Sequence, residues 1–234
     1  MSSIAENYHL VCEQIKEAAI QAKRPPEDVL LLAVSKTRHP LELRSLSDLG
    51  QRDFGENYLQ EALDKQAALA DLPIIWHFIG PIQSNKTRAI AENFAWVHSV
   101  DRLKVAQRLS AQRPAELPPL NICIQINVSN EASKAGCSPN EAEELLNQIA
   151  PLSNLKVRGL MAIPEATDDE HKQALAFEAM NTLFHQLKTK HPELDTLSMG
   201  MSADMQIAIK EGATIVRIGT ALFGPRMYSS SPHL

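Results

Sequence analysis

The chain has 234 residues, with 23 lysines and arginines against 28 aspartates and glutamates, for a formal net charge of −5. Its 44% hydrophobic and 22% charged content is that of an ordinary globular protein and excludes wholesale disorder or a coiled coil. The mild acidity argues against a general nucleic-acid or membrane-surface binder, because such proteins carry a basic stripe.

Ile4, Tyr8, Val11, Ile15, Ala18 and Ala22 recur at three- and four-residue steps and predict an N-terminal helix. Pro25 and Pro26 stop it, since proline cannot continue the hydrogen-bond ladder. The apolar run 29–34 follows and leads into Ser35 and Lys36; its length and flanking prolines predict a strand buried on both faces. Counting 29–36, strand-like runs lie at 29–36, 51–55, 74–80, 95–100, 120–128, 157–163, 196–200 and 214–219. Helical stretches at 56–68, 85–93, 102–112, 140–149, 170–190 and 203–211 fall between them.

No Pro/Gly/Ser-rich linker divides the chain, so residues 1–234 are expected to form one domain. Strands alternating with helices imply a parallel sheet. Eight such units in slightly fewer than the ~250 residues usual for the fold predict an α/β protein, a closed (β/α)₈ TIM barrel with an extra N-terminal helix. The rival, an open doubly wound sheet, needs a glycine-rich phosphate turn after its first strand. That turn here is Ser35-Lys36-Thr37-Arg38-His39-Pro40, without glycine, and the Walker pattern is absent as well.

In a barrel the chemistry sits at the C-terminal ends of the strands. Lys36 ends an apolar strand and has two readings: a solvated lysine, or an amine in a desolvated mouth that can lose its proton and condense with an aldehyde. Barrel phosphate sites are often built from the last two strand-end loops and a short extra helix. Gly200-Met201-Ser202-Ala203-Asp204 and Gly219-Thr220-Ala221 supply glycine turns, hydroxyls and backbone N–H groups at those two positions. Arg217 lies within the apolar run Ile215-Val216-Arg217-Ile218, where its charge must either be ion-paired or face a ligand. An amine, a phosphate cradle and an arginine between them describe pyridoxal 5′-phosphate (PLP), which has an aldehyde, a phosphate and a ring nitrogen. His77 is either a satisfied core histidine or a ring-stacking neighbour of the ligand, and counts among the candidate cofactor-binding residues. Arg38, Lys86, Arg88 and Lys134 read as solvated charges.

Several of these runs resemble the pyridoxal phosphate homeostasis protein family. They are Val34-Ser35-Lys36-Thr37, Phe54-Gly55-Glu56-Asn57-Tyr58, the long stretch from Trp76 to Lys86, Gly159-Leu160-Met161, the stretch from Ser198 to Asp204, and the stretch from Arg217 to Gly224. The resemblance covers essentially the whole chain. It implies a barrel similar to the N-terminal domain of alanine racemase, with PLP carried on Lys36 as a Schiff base. By the same match Ser202, Gly219 and Thr220 would hold the phosphate, Arg217 would face the pyridine nitrogen and Asn57 would lie beside the ring. Many bacterial relatives have a second lysine two residues after the Schiff-base lysine; this chain has Arg38.

The family is regarded as non-enzymatic and as balancing free PLP, so the expected function is PLP binding and intracellular PLP homeostasis, possible partners being PLP-dependent client enzymes. No catalytic residue and no metal site is expected. The alternative is a PLP-dependent amino-acid racemase; the absence of a β-rich second domain after Gly224-Pro225 counts against it. A third reading, a barrel enzyme for a phosphorylated sugar or indole precursor, would use Lys36 as a non-covalent phosphate contact. Cys12, Cys123 and Cys137 form neither a disulfide framework nor a zinc motif and read as inert thiols of a reducing compartment. With no signal peptide and no apolar run near the ~20 residues of a spanning helix, a cytoplasmic monomer is expected.

Overall fold

The computed structural model describes residues 3–129 and 135–225; Lys134 and Tyr228 lie outside them. Eight strands follow one another: β1 (Leu30–Val34), β2 (Asp53–Glu56), β3 (Ile75–Phe78), β4 (Trp96–Val100), β5 (Leu120–Ile126), β6 (Leu155–Ala162), β7 (Thr196–Ser198) and β8 (Ile215–Ile218). Each is parallel to both neighbours, and β8 pairs back onto β1, so the sheet closes into a barrel in sequence order. Helix α1 (Ile4–Gln21) precedes the barrel. The connecting helices are α2 (Pro40–Asp48), α3 (Leu59–Ala68), α4 (Thr87–Asn93), α5 (Leu103–Gln112), α6 (Ala142–Ile149), α7 (Glu170–Lys188) and α8 (Met205–Lys210), and α9 (Thr220–Phe223) follows β8.

The expected architecture is therefore the one observed, with local differences. Helix α2 is not among the predicted stretches, although it buries Leu43 and Leu46 one helical turn apart. Its signal is a capping box, in which His39 accepts from the Leu41 N–H and Glu42 returns a bond to the His39 N–H, with Pro40 opening the first turn. The second strand starts at Asp53 rather than residue 51. Gln51 instead turns its Nε2 to the carbonyls of Leu31 (2.8 Å) and Asp53 (2.7 Å), closing the entrance to the strand with its side chain. Ser3 and Glu6 form the capping box that starts α1. That helix buries Val11, Ile15, Ala18 and Ala19 against α8 and α9. Its Asn7 donates to the Leu222 carbonyl at 3.0 Å, and Arg24 beyond it donates to the Ile209 carbonyl at 2.7 Å.

Strand alternation separates two apolar layers. One parity faces the helices and builds the large shell that includes Ala33, Phe54, Phe78, Val97, Leu160 and Leu197. The other parity points into the barrel, where Leu32, Ile79 and Ile215 pack with Leu30, Val34 and Trp96. The same inward parity carries Asp53, His77, His98, Ser198 and Arg217. Ser198 on β7 lies 2.8 Å from His98 on β4, a contact that only the barrel interior allows, because the two strands are three positions apart around the ring. Among the described residues no helix is long and apolar enough to cross a membrane. The cysteines are unpaired, and burial pushes the Cys123 and Cys137 thiols up to about 12, so neither is a thiolate near neutrality.

Burial also lowers both interior histidines, His98 the more strongly because His77 and Arg217 add to the effect. The unfolded chain therefore binds more protons than the folded one below the ordinary histidine value of about 6.5. Stability contributed by these two rings is complete above that value and is lost as pH falls below it, by at most about 1.4 kcal/mol per pH unit for each ring. Imidazole C–H resonances followed between about pH 8 and 5 should show both rings titrating below the ordinary histidine range, His98 the lower of the two, while the urea midpoint falls. An ordinary titration of either ring in the folded state would refute the assignment.

Candidate functional site

The C-terminal ends of β1, β2, β3, β6, β7 and β8 surround a cavity of about 310 Å³. Lys36, Asn57, Ser202, Arg217, Gly219 and Thr220 line it together, with Val34, Ile79, Ile163 and Met201 as apolar walls. Residues from six separate strand ends that are far apart in sequence thus meet at one place.

Lys36 does not end the strand itself. β1 stops at Val34, and Ser35 to Arg38 form a tight turn closed by the Arg38 N–H to the Ser35 carbonyl at 3.1 Å. Lys36 occupies its first corner. Thr37 occupies the second with φ of 63°, a left-handed conformation that is costly for a β-branched residue. Neighbouring groups hold it there: the Thr37 N–H donates to Glu61 at 2.5 Å, and Lys65 Nζ donates to the Ser35 carbonyl at 2.6 Å. Lys65 is buried and also reaches Glu56 at 2.7 Å and Glu61 at 2.6 Å, while the Ser35 hydroxyl donates to Glu56 at 2.5 Å. Burial pushes the Glu56 carboxyl upward, and Lys65 and Ser35 pull it back. This clamp escaped the sequence reading, although a signal existed: Lys65 lies three residues after the buried Ala62, on the core-facing side of α3.

Arg38 is a second correction. Instead of standing in solvent it lines the cavity, and its guanidinium donates to the carbonyls of Phe223 (3.2 Å) and Gly224 at the end of α9 and lies over the Phe223 ring. Lys86 and Arg88 are exposed, as expected. Asn57 follows β2, and the β3 loop packs tightly against it: a Cβ on Gly80 would sit 2.2 Å from the Asn57 carbonyl oxygen, so only glycine allows this approach. The Asn57 Oδ1 is buried without a hydrogen-bond partner.

The β7 and β8 loops are tied to each other. Arg217 N–H donates to the Gly200 carbonyl at 2.9 Å, and the Ser202 hydroxyl accepts from Ala221 N–H at 3.4 Å. Gly200 has φ of 94°, where a Cβ would also meet the Ala208 Cβ at 2.5 Å. Arg217 is 4% exposed and donates to Ser198 Oγ and to the Ala162 carbonyl, both at 2.9 Å. Among the described residues no carboxylate lies within 4.0 Å of it, so the ion-paired reading fails; burial pushes its pKa down to about 10. His77 is not among the residues lining this cavity. It is buried, stacked on Trp96 at 5.4 Å, and both ring nitrogens are engaged, by Asp53 and His98 at 2.9 Å each. Of its two readings the structure takes the satisfied interior histidine.

The family model for the alanine racemase N-terminal domain matches residues 12–227. A pyridoxal phosphate homeostasis protein from Pseudomonas aeruginosa is 61% identical over 230 residues, covering 98% of this chain and 99% of that one. One from Escherichia coli is 50% identical over 232 residues, with 98% and 99% coverage. Among solved structures, Synechococcus elongatus PipY with PLP bound has 39% identity and a TM-score of 0.78, covering 92% of this chain and all of that one. An alanine racemase from Corynebacterium glutamicum, at 17% identity and a TM-score of 0.65, shares the fold alone, and the match spans 63% of its length. With near-complete coverage at such identity, the chain belongs to the alanine racemase N-terminal domain family and, within it, to the pyridoxal phosphate homeostasis proteins.

Proposed function

We propose that this chain binds pyridoxal 5′-phosphate in the barrel-mouth cavity, on Lys36, and holds and delivers it to client enzymes rather than turning over a substrate. The observation that carries this reading is the convergence of an amine, two hydroxyl-bearing glycine loops and a buried guanidinium around one cavity of suitable size for a small cofactor. The residues fit the group in a further respect. A buried amide oxygen without a partner, as at Asn57, costs roughly 1–3 kcal/mol, and a ligand beside it can remove that cost.

When bound, the cofactor supplies an aldehyde that takes an amine as covalent partner and a ring that can draw electrons from it. The chain's own residues divide the remaining work. Ser202, Gly219 and Thr220 would hold the phosphate through hydroxyl and backbone N–H groups, which suit an anion without any Walker motif. Val34, Ile79 and Ile163 would exclude water from the ring. Asn57 would lie beside the ring. Arg217 is a donor with no acceptor lone pair, so it would keep the ring nitrogen unprotonated and weaken the electron sink.

A holding role is supported by the inventory of the walls. Among the described lining residues Lys36 is the one side chain able to take up a proton, since Arg38 and Arg217 are guanidinium donors and the others are neutral or apolar. Racemisation needs proton transfer on both faces of the substrate. Arg38 cannot act as a second transferable amine, and its bonds to Phe223 and Gly224 give it a structural task.

Borohydride reduction of the PLP-loaded protein and peptide mapping should place the adduct on Lys36, and Lys36→Ala should lose it while remaining folded. A full-stoichiometry adduct on another lysine would overturn the site. Removing the Thr220 hydroxyl in Thr220→Ala should weaken PLP retention by roughly 10- to 100-fold, the weight of one hydrogen bond to a charged acceptor; unchanged affinity would move the phosphate elsewhere. Incubation of the loaded protein with L-amino acids in deuterated water should leave the Cα hydrogen in place. Rapid deuterium incorporation that disappears in Lys36→Ala would restore the racemase reading.

A further inference from the structure

Below the cavity, Arg217 begins a run of hydrogen bonds that reaches the other end of the barrel. Its Nη1 donates to Ser198 Oγ at 2.9 Å, and Ser198 Oγ lies 2.8 Å from His98 Nδ1. His98 Nε2 lies 2.9 Å from His77 Nδ1, and His77 Nε2 lies 2.9 Å from Asp53 Oδ1. Asp53 opens β2 at the N-terminal end of the barrel and is partly exposed, whereas the three groups between it and Arg217 are buried.

With both histidine rings neutral, the chemistry of the two ends fixes the direction of every bond. Arginine has no acceptor, so the Ser198 oxygen must accept from it. A carboxylate has no donor, so His77 must carry its proton on Nε2. With that ring neutral, His77 Nδ1 is an acceptor and His98 Nε2 must donate to it. His98 Nδ1 is then an acceptor as well, and the Ser198 hydroxyl proton is directed at it. With both rings neutral, only the Nε2–H form of each satisfies all four contacts at once. Burial, which lowers both rings, favours the same neutral state.

We propose that Ser198, His98 and His77 are positioning residues: they tie the Arg217 guanidinium to the Asp53 carboxylate and hold it as a donor toward the pyridine nitrogen of bound PLP. The inference rests on the binding reading above for its last element, and on this chain's own geometry for the rest. Arg217 has no carboxylate within salt-bridge distance among the described residues; Asp204 favours its charge from farther off, and the chain through Ser198 gives one of its N–H groups a polarised acceptor. The Ala162 carbonyl takes a second N–H, which orients the guanidinium plane and leaves its remaining donors for the cavity.

The test has two arms. In histidine-labelled protein without PLP, long-range proton–nitrogen-15 spectra should show His77 and His98 both as Nε2–H tautomers. An Nδ1–H or doubly protonated ring at either position, near neutral pH, overturns the chain. In the second arm, PLP labelled with nitrogen-15 in the ring reports on Arg217. Wild-type protein should show an unprotonated, hydrogen-bonded nitrogen. Ser198→Ala should shift that resonance toward the free value and retain PLP about tenfold less well, the weight of one hydrogen bond. An unchanged resonance with unchanged retention overturns the positioning role. Failure of the wild type to retain PLP on Lys36 would overturn the binding reading and the role of Arg217 in it, whereas the tautomers report on the chain without any ligand.

Discussion

A full positive charge inside a closed barrel is the constraint from which the site follows. Arg217 sits on the inward face of β8 and is almost wholly buried, without a carboxylate within 4.0 Å among the described residues. Leaving such a charge uncompensated costs several kcal/mol. The interior must therefore be polar below it, and the row Ser198, His98, His77 and Asp53 occupies inward positions that would otherwise carry aliphatic side chains. Above it the barrel must open, and the cavity lies there. The apolar interior is correspondingly small: Leu32, Ile79 and Ile215 form its buried nucleus, and most of the hydrophobic burial belongs to the strand–helix shell.

The second requirement is that a flexible lysine be presented in a fixed place. The clamp of Lys65, Glu56 and Glu61 holds the backbone on both sides of Lys36, and a β-branched residue in a left-handed conformation persists only because its N–H and its neighbours are tied down. Breaking that clamp would leave a buried carboxylate or ammonium unpaired, so the turn inherits the rigidity of an interior ion cluster. On the opposite side of the cavity Arg38 and α1 do comparable work. Arg38 holds the end of α9, and α1 covers α8 and α9 from outside. The N-terminal helix is thus part of the support for the loops proposed to take the phosphate.

Much of this was legible in the amino-acid sequence. The eight-fold alternation of apolar runs and helical periodicity, without a glycine-rich phosphate turn after the first strand, determined the closed parallel barrel and the N-terminal helix. Strand ends then pointed to Lys36, Arg217 and the two glycine loops, because barrel chemistry is confined to that face, and the family resemblance added Asn57. Boundaries were less legible. Gln51 resembles a strand residue yet caps the strand with its side chain, and the start of α2 is marked only by the capping box of His39 and Glu42 and by Pro40.

What only the tertiary structure decided are contacts between residues distant in the chain. His77 carries the same local pattern whether it meets a ligand or another histidine; the pairing of β3 with β4 settles that it meets His98, and the closure that brings β4 opposite β7 places Ser198 on the far side of that second ring. Arg38 reads as a solvated charge, and Lys65 draws no notice, because their partners, α9 for one and the Ser35 turn for the other, are set by how helices pack around the barrel. Alternation along a strand says which residues point inward, and so the sequence by itself determined the fold and the face that carries the site. It does not say which inward residues meet across the barrel, because that depends on strand stagger and closure, and so the polar chain beneath Arg217 and the clamp beside Lys36 came only from the folded molecule.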